Sequence, residues 1–546
     1  MTKNIVIVGA GFAGVMTARK LARQLSNKKE YQIVLIDEHP FFTYRTSLHE
    51  VATKRIEPSD VQFDLRQLFI HQKNVKIVTA NVTAIDKTTK IAETSTGSVP
   101  FEKLVIATGG QADADTPGAS EFGYTLWTLN DAVRLRSHIE ETVRQAAIEL
   151  DPVVKKTMLN MVIVGAGFTG VQLAGDLLDE RKELAAANNL SEHDIKVTLI
   201  EAESDILRQL GQVNLANKAE AYLAKQGANV LKNTRVVQVK AHEIILSDGT
   251  IMPTETLMWA AGVKAKDTLD YYGLETNEQG RFFVDDYSRI VGQENIYAVG
   301  DVATYQELAR TNPDDPTTGW TIQNVDGAVS GADTAVANLV FDLTGKGTKK
   351  RFKGRYNGFV VTVGAHYGVA FVRRHISLSG FLASEYKHWS NIGFLLTLGS
   401  FYQVFQYLLR EFFRTPHQRT STQGNSSNMG NTLWTVPLRL ITGIYLMITG
   451  AAIGGGFGML FAGVGVALFL GFFTSIAGFL TMLLSFVMMG MSFSISALLL
   501  PFVGIALMNG VGRSFGLDHW VMPWVMKTIG TYLNGESKSS YNDLNE

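Results

Sequence analysis

The ten residues VIVGAGFAGV at positions 6–15 return as VIVGAGFTGV at 162–171, with nine of the ten identical. In each copy a β-branched run, Ile5–Val8 or Val162–Val164, reads as a buried parallel strand. The run breaks into G-x-G-x-x-G: Gly9, Gly11 and Gly14, then Gly165, Gly167 and Gly170. Helix-forming sequence follows each, VMTARKLARQL and VQLAGDLLDE. Glycines at this spacing allow a tight turn, close approach of backbone to a pyrophosphate, and close packing of helix on strand. Free N–H groups and the dipole at the helix N-terminus favour the phosphate charge. One such fingerprint is weak; two, each between a strand and a helix, predict two dinucleotide folds.

The fingerprint also requires an acid at the end of the next strand, to hold a ribose hydroxyl. YQIVLIDEHP supplies Asp37 and Glu38, and DIKVTLIEAES supplies Glu201. Asp37 lies 23 residues past Gly14; Glu201 lies 31 past Gly170, because ERKELAAANNLSEH lengthens the crossover. Two nucleotides follow, one bound to stay and one to come and go.

The chain has 546 residues, so several domains are expected. A net charge of −1 makes no electrostatic case for nucleic acid. The absence of cysteine excludes disulfides, thiolate ligands and iron–sulfur clusters. The eleven histidines show no metal-ligand spacing, and no metal is expected. The apolar start is the first strand and turn rather than a signal peptide, which leaves this end cytoplasmic.

The far end differs. From Leu440 to Gly512 no Asp, Glu, Lys, Arg or His occurs in 73 residues. A spanning helix needs about 20 apolar residues, so the stretch holds three or four. Breaks at Gly454–Gly456, Thr474–Ser475 and Ser492 suggest four short spans, 434–453, 457–473, 476–490 and 493–512; three longer helices are the alternative. Gly443, Gly450, Gly463 and Gly471 allow close helix packing. With no ionisable side chain inside the spans, an ion path is not expected, and anchoring is the conservative role. Before them, Trp389, Ile392, Leu396, Tyr402, Phe405, Leu409 and Phe412 recur at helical spacing. Asn391, Ser400, Gln403, Gln406, Arg410 and Arg414 fall largely on the other side. That suits a helix lying in a membrane interface, with an ordinary core-packed helix as the alternative. Residues 415–432 read as a polar linker.

The soluble part resembles type II NADH dehydrogenases, the non-pumping NADH:quinone oxidoreductases among two-dinucleotide flavoproteins. The resemblance rests on the fingerprints, SLHEVA (47–52), LVIATGG (104–110), PGASEFGYTLWTLNDAVRLRSHI (117–139), WAAGV (259–263) and NIYAVGDVA (295–303), and covers roughly residues 1–410. RLITGIYLMITG and NGVGRSFGLDHW resemble the small DoxX membrane family. The implied fold is α/β: two Rossmann-like domains, an interfacial helical region, and a C-terminal bundle of about four transmembrane helices. The implied bounds are 1–120 with 270–375 for FAD, 121–269 for NADH, 376–414 for the interfacial helices, 415–432 for the linker, 433–512 for the spans and 513–546 for a cytoplasmic tail.

The resemblance assigns FAD to Gly9, Gly11, Phe12, Ala13, Gly14, Asp37, Glu38, Ser47, Val82, Thr108, Gly109, Asp301 and Ile322. It assigns NADH, the substrate, to Gly165, Gly167, Thr169, Gly170, Glu201, Ala261 and Gly262. Gln323 and Gln172 are the implied catalytic residues, beside the flavin ring and near the nicotinamide. Two positions depart from the family: Ile322 stands where Ala is usual, and Gln172 where Glu is usual. The implied reaction is ping-pong, with hydride passing from NADH to flavin and two electrons then passing to a membrane quinone. The implied place is the cell membrane, with the catalytic domains on the cytoplasmic side and the lipid bilayer as partner; a homodimer is compatible with this. Rival functions are an NADH-driven reductase of soluble flavin or another acceptor, and a non-catalytic redox sensor or membrane scaffold.

Overall fold

The computed structural model describes residues 2–265, 272–307, 319–355, 358–373, 375–409, 411, 435–491, 494–508, 516–518 and 521. They form two compact units, Met1–Gln423 and Gly424–Glu546.

The first unit contains two five-stranded sheets with one plan. In the first, strand Lys3–Val8 lies between Lys103–Ile106 and Tyr31–Asp37, with Ile296–Ala298 and Val75–Thr79 at the edges. In the second, Asn160–Val164 lies between Thr256–Trp259 and Lys196–Ile200, with Tyr124–Thr125 and Asn229–Leu231 at the edges. Every pairing is parallel. Ile5, Val6, Ile7, Val162 and Ile163 are fully buried, as strands covered on both faces require. Each such side chain contributes roughly 1.5–3 kcal/mol relative to exposure. The fingerprint helices are Phe12–Gln24 and Phe168–Ala187; both begin directly after the second glycine. A third, antiparallel sheet, Gly358–Thr362, Gly368–Val372 and Ile376–Ser379, leads into the helices Phe381–Thr397 and Phe401–Leu409.

The expected single amphipathic stripe is therefore carried by two helices, broken at Gly399, whose φ of +64° only glycine takes easily. Its polar side points inward. Lys387, His388 and Asn391 are buried, whereas Phe381, Trp389, Leu396, Phe401 and Phe405 are exposed. Arg410, Phe412, Arg414 and the linker 415–432 lie outside the described residues.

In the second unit the described residues include four apolar helices: Thr435–Ile453, Gly455–Leu470, Thr474–Met491 and Ile495–Leu507. Among the described residues only Val436–Ile453 is long and apolar enough by itself to cross a membrane. Glycines pair the helices. A Cβ on Gly443 would lie 2.8 Å from the carbonyl oxygen of Gly465, and one on Gly478 2.8 Å from that of Gly504. Gly450 packs in the same way on Gly458, whereas Gly463 faces open space. Two expectations need correction. The spans are not free of ionisable groups: Arg439, outside the 440–512 stretch, lies inside the first helix and is 1% exposed. Nor is the region after 513 wholly a tail. Asp518 is buried, its carboxylate accepting the N–H groups of Phe473 (2.6 Å) and Thr474 (2.8 Å) and so capping the third helix. Leu517 and Asp518 also donate backbone bonds to Leu470 and Gly471.

Candidate active site

The two fingerprints fold into matching cradles. Gly9 N donates to Ile36 O at 2.8 Å, and Gly165 N to Ile200 O at 2.8 Å. Ala10 N donates to Asp37 Oδ2 at 2.6 Å, and Ala166 N to Glu201 Oε2 at 2.7 Å. Each strand-end acid is thereby held against its glycine turn. A Cβ on Gly14 or Gly170 would land on the carbonyl oxygen of Gly9 or Gly165, so only glycine lets helix and turn approach this closely. Burial raises the Asp37 carboxyl, but bonds from the His39 side chain and the Ala10 and His39 N–H groups outweigh it, leaving the pKa below its ordinary value. Glu38 is exposed beside it.

Around the first cradle the chain gathers distant segments. Thr108 Cα would lie 3.0 Å from a Cβ on Gly9. Gly300, preceding Asp301, would place its Cβ 2.9 Å from that of Ala13. Gln323 Nε2 donates to Asp301 O at 3.3 Å, and Arg281 Nε donates to the same oxygen at 3.1 Å. Ile322 and Gln323 precede Asn324, whose side chain caps the helix Val325–Thr344. Ala80 N donates to Asp37 O at 2.8 Å and brings Val82, two residues on, to the same side. Arg45 lies over the Trp127 ring at 5.1 Å, and its Nη1 would lie 3.7 Å from a Cβ on Gly109. Burial raises the Asp301 carboxyl against the lowering effect of Arg45 and Arg281. Burial also lowers the Arg45 guanidinium below its ordinary value. Phe12 packs on Phe42 (5.0 Å), Tyr44 (5.8 Å) and Phe394 (5.1 Å), which fastens the fingerprint to helix Phe381–Thr397.

Two observations show that a polar group fits here. A Cβ on Gly11 would meet nothing within 4 Å, so space is open above the turn. Ser47 Oγ and Thr108 Oγ1 are buried without a hydrogen-bond partner in the protein. Buried hydroxyls are ordinarily satisfied, and unsatisfied ones point to a missing partner.

The second cradle is less empty. Gln209 lies over Gly167, with Nε2 at 3.4 Å from the Cβ position. Its loop is tied to the turn by Leu207 N donating to Ala166 O at 2.8 Å, with Leu207 at a φ of +52°. Ala261 Cα would lie 2.9 Å from a Cβ on Gly165, and Gly262 lies against Asp113. Thr169 is exposed in the first turn of the helix. Gln172 Nε2 donates to Thr362 Oγ1 at 3.3 Å, at the antiparallel sheet. Among the described residues no group of three or more His, Asp or Glu could hold a metal.

A family profile described as pyridine nucleotide-disulphide oxidoreductase matches residues 3–328. The chain belongs to this family. It is an enzyme, an oxidoreductase, although without cysteine it has no redox disulfide of its own. A type II NADH:quinone oxidoreductase of Staphylococcus aureus (strain NCTC 8325 / PS 47) is 28% identical over 374 residues, 68% of this chain and 90% of that protein. The fold resembles that of NDH2 from Plasmodium falciparum in complex with NADH: TM-score 0.66, 18% identity, 76% of this chain and 99% of the other. It also resembles the sulfide:quinone oxidoreductase of Aquifex aeolicus: TM-score 0.59, 17% identity, 76% and 96% covered.

One constellation escaped the motif reading. Where the two folds of this oxidoreductase meet the helix Phe381–Thr397, a buried charge cluster forms. Lys387 Nζ donates to Glu50 Oε1 at 2.8 Å and to Thr362 Oγ1 at 3.3 Å. Arg55 Nη1 lies 3.3 Å from Glu50 and 3.7 Å from Asp176, and its Nη2 lies 3.8 Å from Glu411. His49 Nδ1 and Asp176 Oδ2 are 2.6 Å apart. Burial raises the Glu50 carboxyl, but Lys387 and Arg55 outweigh it and hold it well below the usual carboxylate range. Glu50 and His49 sit in the quoted SLHEVA, and Asp176 interrupts an apolar helix face. Charges inside apolar patterns were the available signal.

Proposed function

We propose that this protein is a membrane-bound, FAD-dependent oxidoreductase that passes electrons from NADH to a membrane quinone without pumping protons. The observation that carries the cofactor is the pair of unpartnered buried hydroxyls, Ser47 and Thr108, beside the open turn at Gly11. The helix N-terminus at Phe12 would receive the pyrophosphate, Asp37 a ribose hydroxyl, and Asp301 the linking chain. When bound, FAD supplies a two-electron carrier between a hydride donor and a quinone. The second cradle would hold NADH, with Glu201 accepting from its ribose and disfavouring a 2′-phosphate. Gln323, held by Asp301 O, would position the acceptor, and Gln172 the nicotinamide. The Staphylococcus relative, named for NADH and quinone and matched over 90% of its length, supports the substrate pair.

Attachment to the bilayer is supported by inverted polarity in both units. In the second, Ile441, Phe457 and Phe502 are more than 60% exposed while Thr481 and Ser485 are fully buried. Water would favour the reverse; lipid favours this arrangement. On this reading all four apolar helices lie in the membrane. The test is anaerobic NADH added to the purified flavoprotein, followed by quinone and soluble flavin acceptors side by side. Bleaching of the flavin and faster reoxidation by quinone are expected. Preference for soluble flavin, which Ile322 in place of Ala would permit, overturns the quinone assignment; bound flavin that turns over with no acceptor favours a redox sensor or membrane scaffold.

A further inference from the structure

The helices Phe381–Thr397 and Phe401–Leu409 carry two opposed faces. The outer face presents Trp389, Leu396, Phe401 and Phe405, between 47% and 80% exposed. The inner face is polar and bonded to both dinucleotide folds through the buried cluster. Lys387 bonds to Glu50, Asn391 Oδ1 accepts from Tyr44 OH at 2.8 Å, and Tyr407 OH lies 2.8 Å from His388 Nδ1. Glu411, 1% exposed just beyond the second helix, lies 3.8 Å from both Arg55 and His388. Arg55 in turn faces Glu50 on the first fold and Asp176 on the second.

Buried charges tolerate little displacement, because each loses compensation when its partner moves. A rigid helix cannot shift its outer face without shifting its inner one. The chain also limits what covers the outer face. Only 23 residues, 412–434, separate Glu411 from the apolar helix beginning at Thr435. Fully extended they reach at most about 80 Å. That bound makes encounter of the aromatic face with a bilayer holding that helix an intramolecular event, with an effective concentration set by the linker.

We propose that seating these two helices on the bilayer locks the charge cluster at the seam between the two dinucleotide folds, so that membrane contact itself raises electron-transfer activity. The proposal rests on the membrane-bound oxidoreductase reading and adds a coupling to it. Coupling is reciprocal: lipid favours the locked cluster, and the locked cluster favours lipid.

The test uses the full chain loaded with FAD and reconstituted in phosphatidylcholine vesicles, where the apolar helices retain it whatever happens to the docking face. Trp389→Ser with Phe405→Ser alters exposed positions only. This double variant should reduce a short-chain quinone about 5-fold or more slowly than wild type. Amide exchange at Leu48–Ala52 and around Asp176 should quicken. Glu411→Gln, with the outer face intact, should reproduce both changes, and combining the variants should add little further. Wild-type rate and exchange in the outer-face variant would overturn the proposal, as would simple additivity with Glu411→Gln. A change of oligomeric state on losing the aromatics would also overturn it, by assigning that face to a second copy of the chain. If wild type reduces no quinone, the functional reading fails alone, since exchange still reports the coupling.

Discussion

The two dinucleotide folds share strand order, turn hydrogen bonds and strand-end acids, yet their cradles differ in what lies over them. Gly11 faces open space, and the same fold holds the buried, unpartnered hydroxyls of Ser47 and Thr108. Above Gly167 lies only the exposed side chain of Gln209. A site enclosed by segments from residues 45, 108, 300 and 323 suits a group that stays. A site covered by one exposed side chain suits a nucleotide that exchanges. Two stretches alike at nine of ten positions thus suit different residence times, and what later segments lay over them makes the difference.

The largest expected effect comes from the tight glycines. Gly14→Ala and Gly170→Ala each force a methyl onto a carbonyl oxygen, and overpacking costs about 1–3 kcal/mol, more where backbone must move. Gly14→Ala should purify without flavin. Gly170→Ala should keep flavin, read from its absorbance per protein, but lose its bleaching by NADH. Loss of flavin in both would break the division of labour between the cradles.

Glu201→Gln comes next. Removing one charge-assisted contact should narrow the preference for NADH over NADPH by about 1.5–3 kcal/mol in kcat/KM. Equal kcat/KM for the two nucleotides in wild type would remove Glu201 from this role. A smaller effect is expected for Thr108→Val and Ser47→Ala. Each should weaken FAD binding by about 1 kcal/mol without lowering the stability of the flavin-free protein, because no protein partner is lost. Reduced apoprotein melting temperatures would mean that the hydroxyls serve the fold instead.

The smallest effect separates the folds by pH. His138, in the second fold, is stacked on Tyr124 at 4.5 Å and bonded to Glu255 O at 2.9 Å, and burial lowers its pKa below 6.5. Its contribution is therefore present above pH 6.5 and lost as pH falls through that range, since the unfolded chain then takes up the proton. Asp37, in the first fold, is lowered from 3.8, and its contribution is lost only in stronger acid. Amide exchange at pH 5.5 against pH 7.5 should loosen the strands around Thr256 before those around Val6. Equal loosening would remove the contrast.

Much was legible in advance because it depends on local pattern. The turn geometry of Gly9–Gly14, the buried strands and the apolar stretch after Leu440 follow from steric and solvation rules acting within a few residues. What crosses the chain was not legible. Asn391 was read only as lying opposite the aromatics, yet it bonds to Tyr44, 347 positions away. Asp518 was read as tail, yet it caps a helix beginning at Thr474. The bond from Gln172 to Thr362 spans 190 positions and leaves no mark in either local pattern. The sequence by itself determined two nucleotide folds, their acids and an apolar C-terminal region, since each is a periodicity or a spacing. Only the tertiary structure decided which charges are buried together, which cradle stays open, and that the helices Phe381–Thr397 and Phe401–Leu409 turn their polar side inward. Those outcomes depend on which distant surfaces meet, because a buried charge is tolerated only where another segment supplies its partner.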